Sequence, residues 1–447
     1  MKIIIAGAGA VGTHLAKLLS RERHNITILD AQAEKFDDLV ANYDLLGHAV
    51  DPTSIDGLRT AGADKADLVI GVTPNEAANL TCCMLASKMG AKKTVARVDT
   101  DEYIRPENQE FFKSVGIGSV IMPEWIAAKE IALSVQRSWI RQWWEVENGA
   151  LVLMGIKVRN NSSILNTPLK NLCGPDDPYH IVAIKRGNET IIPHGNDMVQ
   201  CYDLVYFMTT KKYIPYIREI TGKNDYPDVK NVIIMGGGST AVYAARMMPS
   251  YMNVKIIERD LQRCHQLNEL INNKNVMVIH GDGRDISLLT DENVNKTEAF
   301  ISLTSNAETN ILSCLAAKRM NVKKTVAMLD NINFASMAES LDIGTLINKQ
   351  TIAAGYIYQM MLKADVTNVK SLMVANIDVA EFNVAPNARI TRKPVKELSL
   401  PSGCTLGGLV RHEQGILING NTQIQEGDHV VAFCHGNELN KLGTFFS

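Results

Sequence analysis

One stretch of this chain is written twice. The segment ADLVIGVTPNEAANLTCCMLASKMGAKKTVARVDT (66–100) returns as TEAFISLTSNAETNILSCLAAKRMNVKKTVAMLDN (297–331), at an offset of 231 residues. Thr73 meets Thr304, Asn79 meets Asn310, Cys83 meets Cys314, and KKTVA repeats letter for letter. The correspondence continues with small drifts that read as loop insertions: Gly7 with Gly236, Asp30 with Glu258, Gly118 with Gly344, Asp203 with Asp428. Self-similarity at this period restricts the 447 residues to two tandem copies of roughly 220 each. The polar segment TGKNDYPDVKN (221–231), with one Pro and one Gly, joins them.

Each copy opens on the same local pattern. Residues 1–19, MKIIIAGAGAVGTHLAKLL, have the outline of a short secretory signal, with Lys2 before an uncharged run. They also read as a strand, a Gly-rich turn and an amphipathic helix with Val11, Leu15, Leu18 and Leu19 on one face. Residues 231–248, NVIIMGGGSTAVYAARMM, repeat that pattern deep inside the chain, where no signal can sit. The second reading therefore holds for both.

Short apolar strands then alternate with helical patterns. In the first copy they fall at 2–6, 26–30, 45–50, 68–73, 94–98 and 119–122, which predicts βαβ units and a doubly wound parallel sheet. Thr73-x-x-Glu76 with Pro74 reads as a capping box opening the helix after the fourth strand, and Ser305-x-x-Glu308 takes that place in the second copy. A helix is expected from 123 to about 144; on it Trp139, Trp143 and Trp144 would anchor either a subunit interface or packing within their own copy. Beyond it, 150–215 and 370–447 read as small β-rich α+β modules. The expected division is 1–145 and 226–366 for the two Rossmann-like lobes, and 146–225 and 367–447 for the β-rich lobes.

The Gly-rich turns carry the chemistry. In a doubly wound sheet the first βα turn needs glycine where the backbone bends tightly and comes close to a phosphate, and the helix behind it presents N–H groups and a positive dipole end. Gly7, Gly9 and Gly12 meet that need. An acid about 20 residues on should accept from ribose hydroxyls and repel a 2′-phosphate; Asp30 stands 18 residues past Gly12. The second copy has Gly236, Gly238 and Ala241, with Glu258 as its acid. Asp51 and Asp282 follow the third strands, either beside the adenine or capping the next helix. Thr73 and Thr304 end the fourth strands at the topological switch point, either facing a ligand or only capping the next helix. Arg97 ends the fifth, facing a pyrophosphate or paired with Asp99, and Met328 replaces it in the second copy. The second site is accordingly expected to hold polyphosphates more weakly.

Composition narrows the function classes. Forty-six basic and 48 acidic residues leave a net charge of −2, which provides no footprint for nucleic acid or an anionic membrane. No apolar run approaches the ~20 residues that span a bilayer. Eight cysteines form no CxxC pair, Cys82 and Cys83 read as small buried hydrophobes, and no His/Cys cluster has zinc spacing, so a reduced cytoplasmic setting is expected and no metal. An NAD-dependent oxidoreductase is the rival reading, but it needs a proton relay beside the nicotinamide. No His–carboxylate or Lys arrangement repeats, and His180 and His194 have no counterparts and read as solvated or locally hydrogen-bonded.

Over its whole length the chain resembles the RCK (KTN) domains that regulate potassium transport, on GAGAVG…ILD, ADLVIGVTPNEAANL…TVARV and the β-rich segment after each sheet. The resemblance implies a non-catalytic regulator that binds NAD(H), with ATP or ADP as alternatives. It implies a homodimeric or homotetrameric ring, peripheral on the inner face of the membrane beneath an integral Trk-type potassium transporter. The family's nucleotide-contact motif falls on Gly7, Ala8, Gly9, Ala10, Val11, Asp30, Asp51, Thr73, Pro74 and Arg97. In the second copy it falls on Gly236, Gly237, Gly238, Ser239, Thr240, Glu258, Asp282, Thr304 and Ser305. Val50 and Met328 depart from the family pattern, where Gly and Arg are usual.

Overall fold

The computed structural model describes every residue except 21–23, 173, 175–177, 188, 332–333, 362–365, 373–376, 402, 436–437 and 447. The chain compacts into two units that cut across its order: Met1–Ala127 with Lys349–Met361, and Ala128–Asn348 with Leu362–Ser447.

The first unit is built on a parallel sheet of β1 (Lys2–Ala6), β2 (Asn25–Asp30), β3 (Leu45–Ala49), β4 (Leu68–Gly71), β5 (Thr94–Arg97) and β6 (Ser119–Ile121), in the order β3-β2-β1-β4-β5-β6. Strand β1 reads Ile-Ile-Ile-Ala and is fully buried there, as a central strand covered by helices on both faces must be. Ile4, Ala6, Leu29 and Val69 pack with Leu58, Cys82 and Ala86 from the covering helices. Cys82 and Cys83 are fully buried, and burial pushes the Cys83 thiol up to about 12, so both behave as small apolar groups. The helix Lys349–Met361, which follows the second parallel sheet in sequence, packs here against the helix Ala10–Ser20; Lys349 Nζ lies 3.4 Å from Glu124 Oε1.

The second unit contains the matching parallel sheet: β12 (Asn231–Met235), β13 (Asn253–Glu258), β14 (Val276–His280), β15 (Ala299–Ser302), β16 (Lys324–Met328) and β17 (Thr345–Ile347), in the same order, β14-β13-β12-β15-β16-β17. It also holds two antiparallel sheets. One comprises β7 (Gln142–Val146), β8 (Leu151–Lys157), β9 (Tyr179–Arg186), β10 (Glu189–Ile191) and β11 (Leu204–Thr209). The other comprises β18 (Val366–Leu372), β19 (Ile377–Asn383), β20 (Cys404–Arg411), β21 (Gln414–Leu417) and β22 (His429–His435). Their orders, β7-β8-β11-β9-β10 and β18-β19-β22-β20-β21, are one topology written twice. Their inner faces share a core that includes Leu153, Val182, Tyr206, Val379, Val431 and Phe433. The doubly wound sheets and β-rich lobes read from the sequence are thus the observed fold.

Three local expectations are corrected. The helix from Pro123 ends at Gln136, and Trp143 and Trp144 lie on strand β7. Trp139 and Trp143 pack in the core of the first antiparallel sheet, and Trp144 against the core shared with the second. The helices after β4 and β15 are capped by Asn75 and Asn306, whose side chains accept from Ala78 N and Thr309 N. Glu76 faces strand five instead, accepting from Asp99 N, Thr100 N and Thr100 Oγ1.

Ion pairs fasten the first antiparallel lobe to the second parallel sheet. Asp342 lies in the turn before β17 at φ 54° and accepts from Arg141 (2.5 Å), Arg159 and Lys318 (3.2 Å). Burial opposes its charge, but Arg141, Lys318 and Arg159 outweigh burial and hold its carboxyl down to about 2. A carboxyl depressed in the folded state contributes stability that is present above its ordinary pKa and is lost as pH falls through the folded value. Asparagine tolerates positive φ, so Asp342→Asn removes the charge without straining the turn. The substitution should cost about 3–5 kcal/mol in urea unfolding at pH 7. It should also flatten the loss of stability between about pH 4 and pH 2, the window set by ordinary and depressed values.

Candidate functional site

The first turn is shaped by what a side chain would hit. Gly7 sits at φ 114°, and a Cβ there would meet Thr73 N at 2.8 Å; at Gly12 it would meet Gly7 O at 1.9 Å. These two glycines exist for backbone packing. Gly9 differs: a Cβ built there has no atom within 4 Å and projects into open space. Gly238, its counterpart, opens the same way, while Gly236 repeats the strained role at φ 99°. The middle glycine of each turn therefore leaves open space at the head of the following helix, Ala10–Ser20 or Ser239–Met247. Ala8, Val11 and Thr240 are buried beside these turns; Ala10 and Ser239 begin the helices.

The acids stand against the same turns. Asp30 accepts from Ala8 N (2.9 Å), Gln32 N (3.1 Å) and Lys35 Nζ (3.3 Å). Burial raises its pKa, but these donors prevail and keep the carboxyl below the usual range. Glu258 accepts from Gly237 N (2.7 Å) and Asp260 N (2.9 Å). Lys35 was not legible as a site residue, and it tempers the repulsion of a 2′-phosphate expected from Asp30 alone.

Beside the switch point, which lies between β1 and β4, the ends of β4 and β5 are tied together by a buried amide. Asn79 accepts from Thr73 N (2.7 Å) and Thr73 Oγ1 (2.8 Å) and donates to Thr73 O and Arg97 O, both at 3.0 Å. Asn310 repeats this with Thr304 N (3.0 Å), Thr304 Oγ1 (2.7 Å), Thr304 O (2.9 Å) and Met328 O (2.8 Å). Thr73 and Thr304 thus lie at the switch point and do not cap helices. Pro74 lies two residues ahead of its helix.

Asp51 and Asp282 do not cap the next helices either. Ser54 and Asp285 do. Asp51 accepts from Thr53 N and Oγ1; Asp282 is held by the side chain and N–H of Arg284, which with Arg259 keep its carboxyl down to about 2. Arg97 Nη2 donates to Asp99 at 3.0 Å and lies 3.7 Å from Glu124.

In the second copy most of the residues expected at the site line one cavity of about 350 Å3, within the ~300–1,000 Å3 of small-molecule sites. Gly236, Gly237, Gly238, Glu258, Asp282, Thr304 and Ser305 line it; Ser239 and Thr240 do not. So do two cations that sequence reasoning missed, Arg259 and Arg284. They flank the two acids, but the first copy has Ala31 and Thr53 in those places, so comparing copies gave no signal. Met328 is therefore not the whole charge balance of that site.

The glycines predict a contrast. Gly12→Ala should destabilise by about 1–3 kcal/mol through overpacking, whereas Gly9→Ala should stay within about 0.5 kcal/mol. Thermal unfolding of the two variants beside the parent chain measures the difference.

Comparison with known proteins finds relatives over nearly the whole chain. The TrkA-N domain family matches residues 3–123 and 232–349, and the TrkA-C domain family matches 379–447. The Trk system potassium uptake protein TrkA of Vibrio alginolyticus is 30% identical, covering 97% of this chain and 95% of the relative. That of Halomonas elongata is 29% identical over the same shares. Among solved structures, the GsuK RCK domain aligns with a TM-score of 0.62 at 14% identity, over 100% of this chain and 94% of that one. The GsuK channel bound to NAD aligns at 0.61 and 14%, over 100% and 78%. At that identity these structures speak to fold alone.

Proposed function

The chain belongs to the TrkA family, and from that premise we propose that it is a non-catalytic, nucleotide-binding regulator of a Trk-type potassium transporter. The observation that carries the nucleotide part is the open direction at Gly9 and Gly238, beside an acid bonded to each turn. Phosphates would take the N–H groups of each turn, and the adenosine ribose would lie on Asp30 or Glu258. NAD(H) fits this reading, with ATP or ADP as alternatives; a GsuK structure bound to NAD and another bound to ADP are fold neighbours. Four lobes, 1–145, 146–225, 226–366 and 367–447, would divide the labour, the parallel sheets binding nucleotide and the β-rich lobes transmitting its state.

The regulatory part rests on family membership and on the kind of groups at the second cavity. Its ionisable lining among the described residues is Glu258, Arg259, Asp282 and Arg284, a set suited to holding a charged ligand. Both acids are engaged by N–H or guanidinium donors. Such a set favours binding over proton transfer and weighs against the oxidoreductase alternative. No described helix is long and apolar enough to cross a membrane, so regulation would pass through a partner. A homodimer or homotetramer closed into a ring on the inner membrane face would suit a symmetric transporter. Nucleotide can drive it only by binding two arrangements with different affinity, and nearly complete switching needs a ratio of about 10⁴.

The test is potassium flux in vesicles containing the transporter, with and without this chain and each nucleotide. Flux should change with nucleotide, and Gly9→Val, whose side chain enters the first cradle, should reduce nucleotide affinity by at least about tenfold in calorimetry while the fold is kept. Flux indifferent to the protein under every nucleotide condition returns the oxidoreductase to first place.

A further inference from the structure

A second charged cavity lies at the other end of the second parallel sheet. It is lined where β16 and β17 begin, at Lys324 and Thr345, whereas the proposed nucleotide cradle lies where the strands end. Seven cationic side chains surround it: Arg141, Lys157, Arg159 and Lys223 from the first antiparallel lobe and the segment after it, Lys318 from the helix Ala307–Arg319, Lys323 just before β16 and Lys324 at its start. The carboxylates bonded to this group among the described residues are two. Asp342 serves Arg141, Arg159 and Lys318, and Glu339 serves Lys157.

Positive charge is thus left over, and it is buried. Lys223 is 2% exposed. Among the described residues its ammonium has neither hydrogen bond nor ion pair, and its named contact is the Tyr226 ring at 5.0 Å. Arg141 Nη1 is also buried without a hydrogen-bond partner, and Lys324, 3% exposed, is bonded to neutral oxygens of Ile140 and Thr345. An unpaired buried cation is costly unless an anion meets it. The cavity is partly open to solvent and offers about 20 Å3, above the ~10–15 Å3 that one water needs and far short of a nucleotide.

We propose that this cavity is a binding site for a small multivalent oxyanion, of the sulfate or inorganic phosphate class, held by Lys223, Arg141 and Lys324 between the first antiparallel lobe and the second parallel sheet. The anion would join the two parts of the unit that Asp342 already links, completing a charge balance that Asp342 and Glu339 leave short. The site is separate from the Gly-rich turns and does not depend on the nucleotide reading.

Sulfate is the probe, because it does not titrate near neutral pH. The full-length chain and its Lys223→Met variant are unfolded thermally across a sulfate series at constant ionic strength, with chloride as the counter-series. The general salting effect of sulfate acts on both proteins alike. The wild type should show a saturable rise in midpoint, with sulfate affinity weakened about ten- to hundredfold in the variant. Burial, then Arg159 and Arg141, hold the Lys223 pKa down to about 7; Asp342 opposes and Lys318 adds to them. Protonated Lys223 is therefore lost as pH rises above that value, and burial lowers Lys318 and Lys324 as well. Sulfate affinity should accordingly fall from pH 6.5 to pH 8.5, the interval that brackets the shifted value. An equal sulfate response in Lys223→Met overturns the site. Crystals of the wild type soaked in selenate give a readout independent of that variant's folding. An anomalous peak within hydrogen-bond reach of Lys223 Nζ supports the assignment, and its absence overturns it.

Discussion

A single buried carboxamide in each parallel sheet holds the place where a ligand could bind. Beyond the carboxyl ends of β4 and β5, on one side of the switch point between β1 and β4, the last peptide groups lose their ladder partners. Asn79 supplies what is missing: two acceptor bonds to Thr73 and donor bonds to the carbonyls of Thr73 and Arg97 use the full capacity of its amide. Asn310 does the same with Thr304 and Met328. The first turn then leans on the pinned segment, since Gly7 packs against Thr73 N too closely for any side chain. Turn, acid and strand end are one rigid assembly, and what varies between the copies is the charge set around it.

That variation is where the two copies part. The first has Arg97, paired with Asp99 and close to Glu124, on the strand-five side of its crevice. The second puts Arg259 and Arg284 on the opposite side, next to Glu258 and Asp282. The two copies share the scaffold and place their arginines on opposite sides of the crevice, while the first keeps Lys35 beside its acid. Elsewhere the copies keep charge in place: Arg186–Asp203 and Arg411–Asp428 are the same ion pair in the two β-rich lobes, each with a nearly fully buried aspartate.

The sheets and glycines were legible because they answer to local physics: runs of buried β-branched residues make central strands, and a tight turn admits only glycine. Asn79 and Asn310 were visible as a repeated letter, but their work depends on strands 18 residues further on, which no local pattern reports. The capping box failed for a related reason. Thr73 and Glu76 have suitable chemistry, yet Asn79 takes the first and the strand-five end takes the second. The tryptophans misled through spacing: four residues apart suits a helix, but Gln142–Val146 is a short aromatic, extended run. Arg259, Arg284 and Lys223 carry no motif; their significance is wholly a matter of what surrounds them in space.

The helix Lys349–Met361 completes a unit whose other residues end at Ala127. On the ribosome, the first sheet therefore emerges long before the piece that covers the helix Ala10–Ser20 exists. More than 200 residues separate Ala127 from Lys349, and at ~5–20 residues per second that is a delay of roughly 10–45 s. During it the helix Ala10–Ser20 lacks the partner that the finished chain gives it, and the same helix of another nascent chain can take that place. Swapped dimers, in which each molecule lends its late helix to the other, are the misassembly this order of synthesis invites.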